Sequence, residues 1–441
     1  MDIDQVVLDS PENCSSYWIP SLRTRENLDG KKKAFYTMPG IAADNVTNDD
    51  IHGLLKKYYP DGIDNLQCNR VDNILDFEPT LVNIEKLVEN ARFFAAVNLS
   101  SKYLTGIGQG VGAARQNHSV HSAESLKVWF LRLKSLILIS QYNIACQELE
   151  PFEEFDAPDL YYEYYAEIYP ELKGSMVPFD MRLLWADLPR LMGKTDESIA
   201  RYIKLMATIK KILDSKPNGT TYGSSFSTIW EERYIEIQKL AANCFYSIKN
   251  FHVALEMLHS LLERYDRLYE RNKLEKFLLG KMRLISSMGR LCLQLGDRIT
   301  VTEYFDDYNL LRRSLLNDGG QELMITSHLN SGYLHVFVGS HHEAIASFTQ
   351  ALNMDPKCLP AINNIAIGYL YCGQLFEGIS IMEQFLTDNP RIAFDDQSFC
   401  INLCTLYELL NTQNCLERKK RLLKLAAENG SETFTCNRLK L

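Results

Sequence analysis

Missing from this chain is most of the usual equipment for catalysis, metal binding and nucleotide binding. Its eleven cysteines are scattered and no Cys-x-x-Cys pair occurs, so neither a zinc ribbon nor a disulfide framework is indicated, and a reducing cytosol is expected. There is no Walker loop, no Gly-x-Ser-x-Gly elbow, no His-Glu-x-x-His pair and no kinase signature set. No catalytic residue, metal ligand or cofactor is expected. An excess of positive charge is lacking too: 47 Lys and Arg stand against 56 Asp and Glu, a net charge of −9. Such a balance gives no general attraction to nucleic-acid phosphates or anionic lipid. The opening Met1-Asp2-Ile3-Asp4-Gln5 has neither the basic nor the apolar region of a secretory signal. The longest uncharged stretches, 323–342 and 358–376, are interrupted by Asn330, His335, Asn363 and Asn364 and read as buried helices instead of membrane spans. Neither a nucleic-acid partner nor direct membrane insertion is expected.

What the chain does have is apolar side chain, 46% of residues against 23% charged, enough for a sizeable core and too much for wholesale disorder. Residues 1–60, with Pro11, Pro20, Pro39 and the run Lys31-Lys32-Lys33, show no sustained period and read as a short, irregular, extended N-terminal arm. Residues 61–120 read as N-terminal helices and a Gly-rich connector. Leu81, Ile84, Leu87, Val88, Ala91 and Ala95 fall at three and four residue steps, predicting an amphipathic helix over 80–98. The glycines from Gly106 to Gly112 lack the preceding strand and the Gly-Lys-Ser/Thr ending of a phosphate loop, so a flexible connector is expected. Residues 121–230 read as degenerate helical repeats with insertions, a solvated, disordered loop being expected over 214–228, and residues 231–441 as a tetratricopeptide-repeat solenoid.

The last assignment rests on two segments between Ile325 and Pro390 that superimpose at an offset of 34 residues, the period of a helix, a turn and an antiparallel helix. Gly332 matches Ala366, Gly339 matches Gly373, Ala344 matches Gly378, Phe348 matches Met382 and Pro356 matches Pro390. Small residues let the paired helices approach, Gly339 and Gly373 close the turn, the bulky pair fills the seam and the prolines follow the second helices. Ala242, Phe251 and Ala254 fit the template once more, as do Gly289, Gly296 and Phe305, and Trp129, Tyr142 and Ala145 fit loosely. The expected fold class is all-α, a tetratricopeptide-repeat α-solenoid with a short irregular N-terminal arm.

In such repeats the first helices line a groove. Here the candidate protein-binding groove is Asn330, Tyr333 and Phe337 with Asn364, Ile367 and Tyr371, a lining suited to an apolar helix or extended segment from a partner protein. Alternatively, neighbouring helices cover these residues. A clamp for an acidic chaperone tail would want basic or amide residues where Leu329, Tyr333, Phe394 and Ser398 stand. His118 with His121, and His341 with His342, lack a carboxylate pattern and are expected to face solvent. Cys400 and Cys404, one helical turn apart, are expected in the core. Arg418-Lys419-Lys420-Arg421 reads as the solvated face of an amphipathic helix. Tyr161, Tyr162, Tyr164 and Tyr165 form a candidate contact insertion. They are either a structural insertion docked on the solenoid or an exposed partner contact, since so many hydroxyls cannot be buried without partners.

Four stretches carry a family resemblance: 158–165, with Tyr161-Tyr162-Glu163-Tyr164-Tyr165; 174–182, with Ser175-Met176-Val177-Pro178-Phe179; the repeats ending Met354-Asp355-Pro356; and Cys436-Asn437-Arg438-Leu439-Lys440-Leu441. The first two are not general repeat features. Over roughly residues 60 to 441, judged from these motifs and the repeat register, the chain resembles the family of subunit 12 of the TRAPP complex, also called tetratricopeptide repeat protein fifteen. The resemblance implies a non-catalytic scaffold or accessory subunit of TRAPP III, a Rab guanine-nucleotide exchange and vesicle-tethering assembly of ER-to-Golgi transport and autophagy. It implies contact with subunits resembling 8, 11 and 13 and with the small core subunits that carry exchange activity, and indirectly with Rab GTPases. It also implies a cytoplasmic protein peripheral to the ER-Golgi intermediate compartment and Golgi, with a further mitotic role at kinetochores reported for relatives. The residues alone leave open an independent tetratricopeptide adaptor or co-chaperone binding a peptide segment.

Overall fold

The structure, a computed structural model, describes residues 17–30, 37–46, 50–59, 77–111, 120–215, 223–315, 320–410 and 414–441. These are helical almost throughout, and the one β feature among them is an isolated antiparallel bridge between Tyr161 and Ser175. By contacts the chain divides into two units, residues 1–48 with 70–250 and residues 49–69 with 251–441. The region expected to be an irregular arm contains α1 (Leu22–Asp29), in the first unit, and α2 (Asp50–Tyr58), in the second.

The first unit continues with α3 (Leu81–Glu89), α4 (Phe93–Gly106), α5 (Ala123–Leu138), α6 (Tyr142–Leu149), α7 (Phe179–Leu191), α8 (Thr195–Asp214) and α9 (Gly223–Ser247). The single helix predicted over 80–98 is two. Ala91 takes φ 57° and the Arg92 amide bonds back to Leu87 O at 2.8 Å, closing α3 as a left-handed cap does. The break lets α4, whose residues Ala95 to Ser101 are all buried, leave the direction of α3, which keeps one face in water. The Gly-rich stretch is not a loose connector either. α4 runs to Gly106, Gly108 takes φ 85°, and Gln109 is fully buried, accepting from Trp129 Nε1 at 2.6 Å; Gly112 lies outside the described residues. Of the loop expected over 214–228, residues 216–222 are outside the described set. From Gly223 onward the chain is helix, because Phe226 and Trp230 are buried and pack ring to ring at 6.2 Å, overriding the weak helical propensity of the serines around them.

The second unit holds α2 and then α10 (Phe251–Asn272), α11 (Glu275–Leu295), α12 (Arg298–Ser314), α13 (Gly320–Val338), α14 (His341–Met354), α15 (Leu359–Tyr371), α16 (Leu375–Asp388), α17 (Pro390–Asp395), α18 (Gln397–Leu409) and α19 (Cys415–Asn429). Short links join packed neighbours, the sign of antiparallel pairs. The first helices of successive pairs, α11, α13, α15 and α18, also touch one another. This is an all-α tetratricopeptide-repeat solenoid. Its seam shows why small residues recur: a Cβ on Gly332 would lie 2.4 Å from the Phe348 ring, and one on Gly289 would lie 2.4 Å from the Phe305 ring. Ala344, Phe348 and Ala351 are fully buried beside them. Gly339 at φ 84° and Gly373 at φ 78° end α13 and α15, a conformation costly to any residue with a Cβ. Pro356 lies in the turn after α14, and Pro390 opens α17.

At the far end of this unit α2 packs on α19 and on the 3-10 turn Cys436–Leu439. Ile51 and Leu55, 0% and 1% exposed, join Leu403, Leu422, Leu423 and Phe434 in one core. Cys400 and Cys404 belong to it, and burial pushes both thiols up to about 12. Such a cover hides an apolar face that this layer would otherwise show to water. At the seam, Gly332→Val is expected to cost about 1–3 kcal/mol by overpacking, measured as a lower urea midpoint. Adding Phe348→Leu should recover part of the loss; a midpoint unmoved by the single change would refute the seam.

Candidate protein-interaction surfaces

The six predicted groove residues do not form one open strip. Asn330 is 2% exposed; its Oδ1 accepts from Ser286 Oγ at 2.9 Å, and Ser286 Oγ in turn accepts from Arg290 Nη1 at 2.7 Å. Tyr333 is half-buried and sits edge-on against Phe348, centroids 5.5 Å apart, so it serves the seam. Asn364, half-buried, donates to Pro360 O of its own helix at 2.7 Å, and Ile367 is half-buried. Only Phe337 and Tyr371, at the ends of α13 and α15, are open, at 38% and 64%. Tyr371 stacks on His341 with ring centroids 4.9 Å apart and planes 11° from parallel. The amide line continues from α15 to α18, where Asn402 Nδ2 donates to Asn363 Oδ1 at 2.9 Å. Midway along the first helices the adjacent layer covers the side chain, and at their C-terminal ends it does not.

The tyrosine insertion is docked on its own unit. Pro158–Leu160 and Tyr162–Tyr165 are 3-10 turns, tied to the following strand-like segment by Tyr162 N to Gly174 O at 3.0 Å and Met176 N to Leu160 O at 2.9 Å. Tyr161 is buried, its hydroxyl donating to Asp156 Oδ1 at 3.0 Å, and burial raises its pKa. Tyr162, Tyr164 and Tyr165 are half-buried: Tyr162 stacks edge-on with Tyr169, Tyr164 with Tyr165, and Tyr165 Oη accepts from the His121 amide at 3.1 Å. Beneath them Arg182 lies over the Trp18 ring at 4.1 Å and donates to Ser175 Oγ at 2.8 Å; burial lowers its pKa to about 10.

Beside the insertion, four side chains hook the backbone of residues 17–30 and 37–46. Asp156 Oδ1 accepts from the Ser21 amide at 3.1 Å, Asp159 Oδ2 from Thr37 at 2.7 Å, Glu148 Oε1 from Ala42 at 2.9 Å and Asn98 Oδ1 from Val46 at 2.9 Å. Glu148 is held by Arg132, with both side chains fully buried and 2.7 Å apart; Arg132 also donates to Val97 O and Ala43 O. His121, expected to face solvent, is instead 1% exposed, with Nε2 2.7 Å from Thr37 Oγ1. Because the Thr37 hydroxyl donates to Asp159 Oδ2 at 2.8 Å, its one proton is used there and His121 must donate from Nε2. His118 lies outside the described residues. At the other predicted pair, His342 is exposed, with Nδ1 3.0 Å from Cys372 Sγ, while His341 is half-buried against Tyr371. From the sequence Asp159 stands beside the tyrosine string without a role of its own, and Asp156, five residues before Tyr161, gives no signal. Among the described residues no group of three or more His, Cys, Asp or Glu is placed to hold a metal ion, and no helix is long and apolar enough to cross a membrane.

No family model matches the chain. Trafficking protein particle complex subunit 12 of Homo sapiens is 33% identical to it over 417 residues, 92% of this chain and 54% of that protein. Its Mus musculus counterpart is 31% identical over 446 residues, 96% of this chain and 53% of that protein. The chain belongs to the trafficking protein particle complex subunit 12 family. It spans about half the length of these two family members, and similarity on this scale requires both units, not the repeats alone. Solved structures with partial overlap include a tetratricopeptide repeat protein from Parabacteroides merdae, 13% identical over 71% of this chain and 96% of that one at TM-score 0.36. Another is a Rap protein complexed with competence and sporulation factor, 13% identical over 78% and 96% at TM-score 0.30. At such scores the overlap carries no argument about ligand or shape.

The hooked segment in this family member should respond to pH. Burial lowers the pKa of His121 below its ordinary 6.5, against the opposing pull of Asp159 at 3.9 Å. The released state therefore takes up the proton first, so the latch is fully stable above about pH 6.5 and weakens as pH falls further. Intrinsic-rate-corrected hydrogen exchange at the Thr37 amide is expected to quicken on going from pH 7.5 to 5.5, and not to do so in His121→Gln. Equal slowing or quickening in both proteins would show that His121 is not the group.

Proposed function

We propose that the chain is a non-catalytic scaffold or accessory subunit of the TRAPP III assembly, acting in Rab nucleotide exchange and vesicle tethering during ER-to-Golgi transport and autophagy. The observation that carries this reading is the similarity across 92% of the chain to a protein named as a subunit of the trafficking protein particle complex. The architecture is in keeping with it. The buried polar groups of the first unit hold backbone in place, as Arg132, Glu148 and Asp159 do, and the repeats offer helix ends and edges for other chains to grip. Partners on this reading are subunits resembling 8, 11 and 13 and the small core subunits, with Rab GTPases reached indirectly. The place of action is the cytoplasmic surface of the ER-Golgi intermediate compartment and Golgi, without insertion in the bilayer.

An independent co-chaperone role finds less support. Leu329 is half-buried and Phe394 fully buried, so two of the positions where a carboxylate clamp would need cations hold enclosed apolar groups. Affinity purification of the tagged chain from cells separates the two: recovery of the small core subunits together with the large ones is expected, whereas heat-shock proteins without any core subunit would overturn the assignment.

A further inference from the structure

In the second unit, eleven large apolar side chains are exposed among the described residues, and eight of them lie where a first helix turns into its second. Their positions repeat. The last residue of each first helix is Leu295, Val338, Tyr371 or Leu409, exposed by 37%, 46%, 64% and 51%. The second residue of the following helix is Ile299, Phe376 or Leu416 in three of the four pairs, exposed by 75%, 71% and 47%, and His342 in the fourth. Because α11 to α16 alternate in direction, the turns from α11 to α12, α13 to α14 and α15 to α16 share one edge. The stacking of His341 on Tyr371 and the 3.0 Å approach of His342 to Cys372 put the start of α14 beside the end of α15 directly.

Nothing local calls for this pattern. The negative end of a helix dipole favours a cation in the last turn, yet α11, α15 and α18 have none there. An exposed Tyr or Phe adds nothing to the seam, which Phe305 and Phe348 already fill. The edge also has a sign. Glu343 and Glu377 occupy the third position of α14 and α16, are exposed, and make no ion pair among the described residues. From 323 to 389 the single Lys or Arg is Lys357, in the link between α14 and α15 at the opposite edge. The next Lys or Arg along the chain, Arg391, lies in α17, past the C-terminal end of α16; farther on, Arg418 pairs with Glu383 at 2.9 Å and Lys420 with Glu417 at 2.7 Å.

We propose that this edge docks an amphipathic segment of a partner polypeptide, its apolar side seated on Phe337, Tyr371 and Phe376 and its Lys or Arg residues meeting Glu343 and Glu377. Aromatic anchors ringed by polar groups are the usual energetic centre of such contacts, and an acidic rim selects a basic partner while repelling anionic lipid. The inference rests on the chain being a subunit of a larger assembly and adds which edge and which chemistry make the contact.

The test uses the full chain, tagged and expressed in cells, in four forms: wild type, Tyr371→Ser with Phe376→Ser, Glu343→Lys with Glu377→Lys, and a form carrying the photo-crosslinker benzoylphenylalanine at 376. Thermal midpoints should match, since every altered side chain is exposed. The two double variants are expected to lower recovery of at least one complex subunit about tenfold or more, the loss that hot-spot truncation brings, and the crosslinked partner peptide should carry a net positive charge. Wild-type recovery undiminished in both double variants, or an acidic crosslinked peptide, overturns the edge proposal and leaves the subunit reading standing. A wild-type chain that recovers no complex subunit overturns the subunit reading itself, and the edge proposal with it. Purified chain is also mixed with phosphatidylserine-containing vesicles. Binding that Tyr371→Ser with Phe376→Ser abolishes would assign the edge to membrane, and absence of binding supports a protein partner.

Discussion

The close approach of paired helices at a glycine facing an aromatic ring is the constraint on which the second unit depends. Gly332 against Phe348 and Gly289 against Phe305 leave no room for a methyl group, so the ring fills the space between two backbones and is itself removed from water. Burying a Phe in this way contributes about 1.5–3 kcal/mol, and because each pair also presents its first helix to the next, the gain repeats along the stack. The left-handed glycines Gly339 and Gly373 then reverse the chain within a few residues, keeping the pairs in register. Leu295, Tyr371 and Phe376 can stay exposed because this seam does not use them.

The first unit solves a different problem with different means. Its residues 17–30 and 37–46 are short of apolar periodicity; carboxylates and an amide grip their backbone N–H groups, beside the buried side chains of Trp18, Ile41 and Val46. Such hooks are strong only when the acid is fixed and enclosed, which Arg132 does for Glu148 and the Thr37 hydroxyl and His121 do beside Asp159. A buried acceptor left without its donor costs about 1–3 kcal/mol, so Glu148, Asp159 and Asn98 are fully satisfied only with the segment in place. The tyrosines pack along the same insertion, and their hydroxyls complete it at Asp156 and the His121 amide.

What could be read from the sequence and what could not follows from the reach of each signal. The seam was legible because the small and large residues that meet recur after 34 residues, and the Tyr-rich string because it is a local run that stacking repeats do not need. The hooks were not, since they join residues as far apart as Ser21 and Asp156, 135 positions, and a lone Asp or Thr has no period to betray it. Asn330 and Tyr333 were rightly placed on a first helix but wrongly treated alike with Phe337 and Tyr371: periodicity names a helix face and does not tell how far along it the adjacent layer extends. His121 was misjudged for want of its partner Thr37, and the helix from Gly223 because Phe226 and Trp230 outweigh serine-rich composition only once tertiary neighbours exist.

The placement of α2 bears on synthesis. Its Ile51 and Leu55 leave the ribosome well before the surface that shelters them, on α19 and the turn at 436–439. With elongation at about 5–20 residues per second, the intervening stretch takes roughly 20–70 s. During that interval a short amphipathic helix waits with its greasy side uncovered. Closure of this layer therefore waits until both of its parts have been made, and a nascent chain interrupted before α19 would leave this helix as a sticky end for chaperones to shield.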